Sequence, residues 1–383
     1  MSLHYFGENE LRLLEGGEEF FPELLKAVDN SQQSILIDVY IFNQSKVGTD
    51  LLAALKEAAR RGVEVSMVID GFGSIQTAAS LFQDLIDAGG EVLFFHPPRF
   101  FPKLQNLFSE RLHRKIFTMD GKKAFITGMN IDDDYCFSHP LGRLDHAVLI
   151  QGPVVEEIED ILLELRKSLR QHKRKWFRPI QKRLAFSKNK EERPALAAFV
   201  MRDNLRYRRQ MESHFLDLIR SAETSIDIAS AYFFPGRRFL AELRGAAKRG
   251  VRVRLLLEGK AEFRSLYWAT RHLYSKLLGA GVEIYEYQKS FLHSKFVSVD
   301  EKRASLGSCN FDTLSFFLNL EANLSIYDIT FAKDLRSRFD KMLLDSKKIS
   351  REDFGQEAFF KTGFYRFWYF VYRFLNGLVV GQY

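Results

Sequence analysis

The sequence predicts an α/β fold built from two tandem halves, packed as a pseudo-dimer around one shared site. Three observations carry this. A histidine, a lysine two residues on and an aspartate five further recur as "RLHRKIFTMD" (Arg111 to Asp120) and "FLHSKFVSVD" (Phe291 to Asp300), all at an offset of 180. Other segments repeat in the same order, which marks an internal duplication. Within each copy, apolar strand patterns alternate with helical ones, as in layered α/β proteins.

"SILIDVYIF" (Ser34 to Phe42) reads as a buried strand, and "SIDIASAYFF" (Ser225 to Phe234) is its counterpart. "AARRGVEVSMVID" (Ala58 to Asp70) and "AAKRGVRVRLLLE" (Ala246 to Glu258) each read as a helix end, a glycine stop and a buried strand. "AGGEV" at Ala88 and "AGVEI" at Ala280 open the next strand at an offset of 192. The offset falls to 180 at the triad, so the first half holds 12 extra residues, near His96 to Leu112. Each half then runs strand, helix, strand, helix, strand and a last strand through the triad, and a mostly parallel sheet is expected. The divisions read from this are a first half over 1–165, a basic linker over 166–195, a second half over 196–348 and an aromatic tail over 349–383.

A chain of 383 residues has room for two such halves and their cores. Its net charge of +7 suits a polyanionic partner, either nucleic acid or an anionic membrane face. Two cysteines, Cys136 and Cys309, make neither a disulfide framework nor a zinc cluster, and fit a reducing compartment. The start, "MSLHYFGENELRLL", lacks the basic-then-apolar pattern of a signal peptide, and no uncharged apolar run reaches the roughly 18 residues of a spanning helix. From Arg166 to Arg183 there are nine Lys or Arg and no acid, with Trp176 and Phe177 inside the run. This reads as an arm for phosphates at an interface.

The chemistry lies in the doubled pair. On a strand, His-x-Lys places both side chains on one face. Two facing pairs supply two imidazoles and two ammonium groups. That suits a phosphodiester: one histidine attacks phosphorus, the other protonates the leaving oxygen, and the lysines offset the developing charge. The candidates are His113 and His293, with Lys115 and Lys295. "TGMN" and "GSCN" follow the two triads and add Asn130 and Asn310, again 180 apart, as donors to phosphoryl oxygens. Ser308 stands beside the second. Asp145 and Glu321, on the strands that follow, are the carboxylates expected to hold the far nitrogen of each histidine. Which acid serves which histidine is open in the sequence. Asp120 and Asp300 complete the triads as candidate catalytic acids, with a structural role at the strand end as the alternative. One fixed triad arises by chance at about 1 in 8,000 starts, so two at a matched offset are not coincidence.

At these residues the sequence resembles the phospholipase D superfamily, whose signature is H-x-K-x4-D in duplicate. Within it, "LLEGGEEFFPELLKAV", "AARRGVEVSMVIDGFGS", "LHRKIFTMDGKKAFITGMNI" and "GSCNFDTLSFFLNLEANL" look like bacterial cardiolipin synthases of the shorter subtype, which lacks N-terminal spanning helices. The resemblance covers nearly all of residues 8 to 345 and implies two phospholipase D-like α/β/α halves. It implies phosphatidyl transfer between two phosphatidylglycerol molecules through a phosphohistidine, without metal or other cofactor. His113, Lys115 and Asn130 form one catalytic set, and His293, Lys295 and Asn310 the other. By superfamily habit His113 is the nucleophile, although the roles can be exchanged. It also implies a peripheral enzyme on the cytoplasmic face of the cell inner membrane, with no nucleic-acid partner. The chain departs from the family at Thr127, where a glycine is common, and at Gly142, Arg143 and Leu144, where a tryptophan is usual. Both bear on the head groups accepted.

The segment "FFKTGFYRFWYFVYRFLNGLVV" (Phe359 to Val380) is the most apolar. As a helix it puts Phe364, Phe367, Trp368, Val371, Phe374, Leu375 and Leu378 on one side, and Arg366, Tyr369, Arg373 and Asn376 on the other. Rings flanked by arginines suit a helix lying in an anionic membrane interface, apart from the chemistry. A helix docked on the protein's own core is the alternative. "PPRFFPKLQNLF", just ahead of His113, is a second candidate contact. Four functions remain open at this level: cardiolipin synthesis, transfer to water, ethanolamine or serine, a nuclease, and a non-catalytic membrane-binding protein.

Overall fold

The computed structural model describes residues 3–96, 109–171 and 195–380, apart from the side chains at 353, 355–360 and 378–380. The first half runs β1 (Phe6–Glu15), α1 (Gly16–Asn30), β2 (Ser34–Val39), α2 (Lys46–Arg60), β3 (Glu64–Asp70), α3 (Gln83–Asp87), β4 (Glu91–Phe95), β5 (Lys115–Met119), β6 (Lys123–Thr127), β7 (His146–Gln151) and α4 (Val154–Arg170). The second runs β8 (Ala195–Arg202), α5 (Gln210–Arg220), β9 (Ser225–Ser230), β10 (Phe233–Phe234), α6 (Arg237–Lys248), β11 (Arg252–Glu258), α7 (Arg264–Leu278), β12 (Glu283–Tyr287), β13 (Lys295–Val299) and β14 (Arg303–Gly307). It ends with β15 (Phe311–Asp312), α8 (Thr313–Phe317), β16 (Glu321–Tyr327), α9 (Ile329–Leu344), β17 (Ser346–Ile349) and α10 (Arg351–Val380).

All strands but β10 and β15 form one sheet, and its order shows the duplication. Outward from the join it reads β1-β7-β6-β5-β2-β3-β4 in one half and β8-β16-β14-β13-β9-β11-β12 in the other, with β17 added at the far edge. The halves join where β1 pairs antiparallel with β8, Phe6 opposite Ala197 and Asn9 opposite Ala195. Helices α4 and α9 cover one face over a core shared by both halves, with Leu36, Val148 and Ile158 from the first and Phe199, Ala229 and Leu335 from the second. Helices α1 to α3 cover the other face of the first half, and α5 to α7 with α10 that of the second. These are the α/β/α layers expected.

The expected predominance of parallel pairing is corrected. Within the large sheet only β2-β3-β4 and β9-β11-β12 run parallel. A parallel connection needs a crossover of a dozen residues. Between β5 and β6 lie only Asp120, Gly121 and Lys122; Lys122 N bonds Met119 O at 3.0 Å, and Asp120 and Gly121 are both at positive φ (54° and 61°), as a type I′ turn requires. The expectation missed that the triad strand ends in this hairpin.

Asp120 and Asp300 are likewise corrected as catalytic candidates. Asp120 accepts the backbone N–H of Gln32 at 2.9 Å, of Gln33 at 2.7 Å and of Ser34 at 3.0 Å. Asp300 does the same for Glu223, Thr224 and Ser225 at 3.0, 2.8 and 2.9 Å. Seven extended residues put each aspartate about 23 Å from its histidine, at the opposite end of the strand. Each one ties its hairpin to the loop that opens β2 or β9.

Arg166 is corrected as a member of the basic arm. It sits in α4 and is fully buried. Nη1 donates to Asp38 Oδ1 at 2.8 Å, Nη2 to the Ile37 and Ser66 carbonyls at 3.0 and 2.8 Å, and Nε to Ser66 Oγ at 3.0 Å. Arg114 Nε completes the carboxylate's pairing, donating to Asp38 Oδ2 at 2.8 Å. A buried cation with so many acceptors is held in place and is not offered to a ligand. Arg170 pairs with Glu91 at 2.7 Å. The rest of the basic run from 172 on, including Trp176 and Phe177, lies outside the described residues, as does the whole of "PPRFFPKLQNLF", 97–108.

The tail is the single helix α10, and it docks on the protein. Tyr365 and Phe354 are buried in the second half's core. Trp268 of α7 meets Phe364 and Trp368 at ring-centroid distances of 4.6 and 6.0 Å. Tyr369 packs on His272 and Phe234 at 4.5 and 5.5 Å, and Tyr372 OH bonds Ser265 Oγ at 2.9 Å. The expected split is thereby corrected, because Tyr369, placed on the side of the arginines, faces the core. Tyr372 docks with its hydroxyl partnered, and Trp368 docks through its ring against Trp268. Phe367, Phe370 and Phe374 stay 59, 54 and 67% exposed, beside exposed Arg366 and part-exposed Val371 and Arg373. The Leu378 side chain lies outside the described residues. Among the described residues no helix is long and apolar enough to cross a membrane.

Candidate active site

The two histidine segments are stitched across the halves. Around Leu112, His113 N donates to Leu320 O at 2.9 Å and Leu320 N to Arg111 O at 2.8 Å. Around Leu292, His293 N donates to Leu144 O and Leu144 N to Phe291 O, both at 2.8 Å. Two carboxylates at matched strand ends hold the same segments from behind. Asp70 Oδ2 accepts Leu112 N at 2.8 Å, and Glu258 Oε2 accepts Leu292 N.

Leu320 precedes Glu321 and Leu144 precedes Asp145, so the stitching delivers each carboxylate to the other half's histidine. His113 Nδ1 lies 2.9 and 3.0 Å from the two oxygens of Glu321. His293 Nδ1 lies 2.7 Å from Asp145 Oδ2. Ser308 Oγ donates to Glu321 Oε2 at 2.5 Å. Its counterpart is Gly128, where an added Cβ would meet Asp145 Oδ2 at 2.4 Å, so the glycine leaves room for the carboxylate.

The lysines sit behind the histidines and do not form the cavity wall. Lys115 Nζ donates to His113 O at 2.7 Å. Lys295 Nζ donates to His293 O, and lies 2.6 Å from His293 Nδ1 and 3.3 Å from Asp145 Oδ2. Both are fully buried. Burial pushes Lys115 down to about 7 and lowers Lys295 too. Burial also lowers both imidazoles, His293 to about 3 with the Lys295 charge adding to the effect. Burial alone would raise Glu321 and Asp145, but the cations around them outweigh it and keep both ionised. Each free imidazole is therefore neutral at pH 7.

One cavity of about 620 Å³ contains both histidines with Asn130 and Asn310 on its wall. Asn130 Nδ2 donates to Tyr135 OH at 3.1 Å, and Asn310 Oδ1 is buried with no partner among the described residues. Sequence reasoning missed several wall residues. Tyr40 stands edge-on to His113 at 5.0 Å between ring centroids, and Tyr135 to His293 at 5.3 Å. Arg143 reaches across the halves to Glu262 with both Nη atoms at 2.9 Å, and its Nε donates to Asp134 at 3.2 Å. Arg111 lines the His113 side. Tyr372, Leu375 and Asn376 of α10 line the cavity, which corrects the reading of the tail as apart from the site. A signal existed for Arg111, at the same two-residue spacing as His and Lys. None existed for Tyr135 or the tail, which arrive by tertiary packing.

Fold and site together define a class: two duplicated α/β lobes closing on a pair of histidines. The chain belongs to the family described as cardiolipin synthase, PLD-like domain, matched over residues 24–166 and 215–343, and so to the phospholipase D superfamily that its doubled motif resembles. It is 37% identical over 337 residues to cardiolipin synthase B of Shigella flexneri, covering 88% of this chain and 80% of that protein. Identity to cardiolipin synthase 1 of Staphylococcus epidermidis is 33% over 361 residues, covering 93% of this chain and 72% of the relative. Among solved structures, phosphatidylserine synthase of Haemophilus influenzae superposes with a TM-score of 0.69 at 14% identity, covering 92% of this chain and 90% of the other. Polyphosphate kinase of Porphyromonas gingivalis gives 0.59 at 11%, covering 90% of this chain and 49% of that one. At such identities these two likenesses speak for the fold alone.

Proposed function

We propose that the protein is a cardiolipin synthase, transferring a phosphatidyl group between two phosphatidylglycerol molecules and releasing glycerol. The observation that carries this is the single cavity holding two histidines, each with Nδ1 against a carboxylate from the opposite half, in a chain whose family and relatives are cardiolipin synthases. Phospholipids are its substrates.

His113 attacks phosphorus through Nε2. Its Nδ1 faces only carboxylate oxygens, so that nitrogen carries the proton and Nε2 keeps a lone pair toward the cavity. With the anionic phosphodiester in the cavity His293 takes up a proton, and as the imidazolium it protonates the departing glycerol oxygen from Nε2. Its Nδ1 stays against Asp145, which stabilises the imidazolium that gives the Nε2 proton and forms again when the ring takes one back. In the second step the hydroxyl of another phosphatidylglycerol attacks the phosphohistidine. A P–O bond forms, the P–N bond breaks and the hydroxyl proton passes to His293. Lys115 and Lys295 act through their field in a low-dielectric site. Asn130 and Asn310 contact phosphoryl oxygens.

The enzyme associates with membranes. We assign it to the cytoplasmic face of the inner membrane, against anionic phospholipid. The exposed Phe364, Phe367 and Phe374 of α10, with Arg366 and Arg373, supply the contact, and Trp368 and Val371 back it. This reading keeps the two halves as lobes of one catalytic unit and 349–383 as its membrane-facing tail.

The test is incubation of purified protein with labelled phosphatidylglycerol and separation of the products. Cardiolipin with glycerol is expected, and excess glycerol drives the reaction backwards, since one phosphodiester replaces another. Phosphatidic acid as sole product at dense lipid packing would favour a phospholipase.

A further inference from the structure

We propose that the groove between α8 and α10 is the tail subsite of the phosphatidyl donor, holding its acyl chains while the phosphorus passes to His113 and on to the acceptor. This rests on the proposed phosphatidyl transfer and names what grips the lipid beyond its head group.

The groove starts at the phosphate. Asn310 lines the cavity, and the chain then turns into α8, which adds Leu314, Ser315 and, at its end, Leu318 to the same wall. Leu318 N bonds Leu314 O at 2.9 Å, so the two leucines stand one turn apart on one face. α10 packs on α8 and lines the cavity with Tyr372, Leu375 and Asn376, again one helical face. Leu314 and Leu375 are 38 and 40% exposed, so apolar surface is left open inside the catalytic cavity. In a phospholipid the two ester-bearing carbons directly follow the carbon that carries the phosphate. With phosphorus at His113, the acyl chains therefore begin within the cavity. On the outside, Leu375 ends a stripe. Phe367, Phe370, Val371, Phe374 and Leu375 follow the i, i+3, i+4, i+7, i+8 pattern of one helix face. The three rings are more than half exposed, and Leu375 stands in the cavity wall. An apolar track thus runs from the face assigned to the membrane to the reacting centre, and a chain lying on it stays out of water.

The halves repeat the reacting groups but not this surface. The positions 180 residues before Leu314 and Leu318 are Asp134 and Ser138. Asp134 also lines the cavity, where it accepts Arg143 Nε at 3.2 Å. Phe72, the exposed ring of the first half's wall, has the Arg111 guanidinium 3.8 Å from its centroid. The wall is apolar where α8 and α10 meet and richer in charge on the opposite side. Such asymmetry suits one tail subsite, and the phosphatidyl group is the part that needs one. It stays on the enzyme from the first displacement to the second, while glycerol leaves and the acceptor arrives.

The test follows labelled glycerol into phosphatidylglycerol, which reads the donor alone. A glycerol hydroxyl attacks the phosphohistidine, a P–O bond forms, the P–N bond breaks and the hydroxyl proton passes to His293. The donors are dioleoyl phosphatidylglycerol in detergent micelles and dibutyryl phosphatidylglycerol, whose chains are too short to run along the groove. Full-length wild type, Leu314→Asn and Leu375→Asn are compared, with thermal melting and sedimentation on phosphatidylserine vesicles alongside. Each variant removes apolar contact from a buried chain, so the dioleoyl-to-dibutyryl ratio of kcat/KM should fall by about tenfold or more. Melting and sedimentation should stay with wild type, since the rings of the stripe are intact. If both donors fall by one factor, the leucines serve the fold or the chemistry. If the ratio holds, or falls only in step with sedimentation, the chains lie elsewhere. In each of these cases the inference fails alone. If wild type labels neither donor, the proposed function fails and takes the inference with it.

Discussion

Glu321, from the second half, holds the Nδ1 of His113, from the first, at 2.9 and 3.0 Å, while Asp145 returns the contact to His293 at 2.7 Å. Neither half can orient its own histidine. The site exists only when the two lobes are joined, which gives the duplication a physical reason to stay within one chain.

Glu321→Gln and Asp145→Asn should therefore lower turnover by roughly 10²–10⁴-fold, the range for impaired acid–base or nucleophilic assistance. The amides preserve volume, so far-ultraviolet spectra and folding yield should stay near wild type. A variant with normal turnover would show that the crossed carboxylates have no part in the chemistry.

The rate should follow a bell in pH. His113 must be neutral to attack, and burial lowers its pKa, so the acid limb lies below the ordinary histidine range. Lys115 is cationic only below its pKa, which burial brings to about 7, so its charge is lost as pH rises through that value. The kcat/KM profile, which reports the free enzyme, should fall on the alkaline side from near neutrality. A plateau extending to pH 9 would show that the charge of Lys115 does not assist the transfer.

Asp120→Ala and Asp300→Ala should act on stability and not on chemistry. Each deletes a carboxylate that accepts three backbone amides, costing about 1.5–3 kcal/mol. Melting temperature should drop, and kcat per folded molecule should stay within about threefold, an effect below 1 kcal/mol. A loss of kcat as deep as that of His113→Ala, in protein that melts normally, would restore a catalytic role.

For the tail, docking and membrane contact use different residues of α10. Replacing Phe367, Phe370 and Phe374 with Ser should weaken sedimentation with anionic vesicles and leave melting unchanged. Tyr365→Ala empties a buried site and should cost roughly 3–5 kcal/mol. Cutting after Gln356 removes Tyr372 and Leu375 from the cavity wall, so turnover in micelles should fall together with vesicle binding. Full micellar turnover in the truncated protein would separate the tail from the site.

Activity should survive dialysis against EDTA, because Lys115 and Lys295 bring the positive charge to the phosphate. Inactivation that a single divalent metal reverses would contradict this.

The sequence by itself determined the duplication, the layered fold and the reacting pairs. A two-residue spacing on a strand fixes a shared face, and a repeat at constant offset fixes a second copy of it. Asp120 marked the limit of that reasoning. Its place in the motif read as chemistry, while "DG" with positive φ on both residues is a hairpin signal, and turn geometry decided its role. Arg166 looked like one more charge in a basic run until the fold placed it against Asp38. Only the tertiary structure paired Glu321 with His113 and Asp145 with His293, and brought Tyr135, Arg143 and part of α10 to the wall. These contacts join residues far apart in sequence, and no local spacing encodes them. They follow from the β1–β8 join and from the backbone bonds at Leu320 and Leu144, which exist only once both halves have folded.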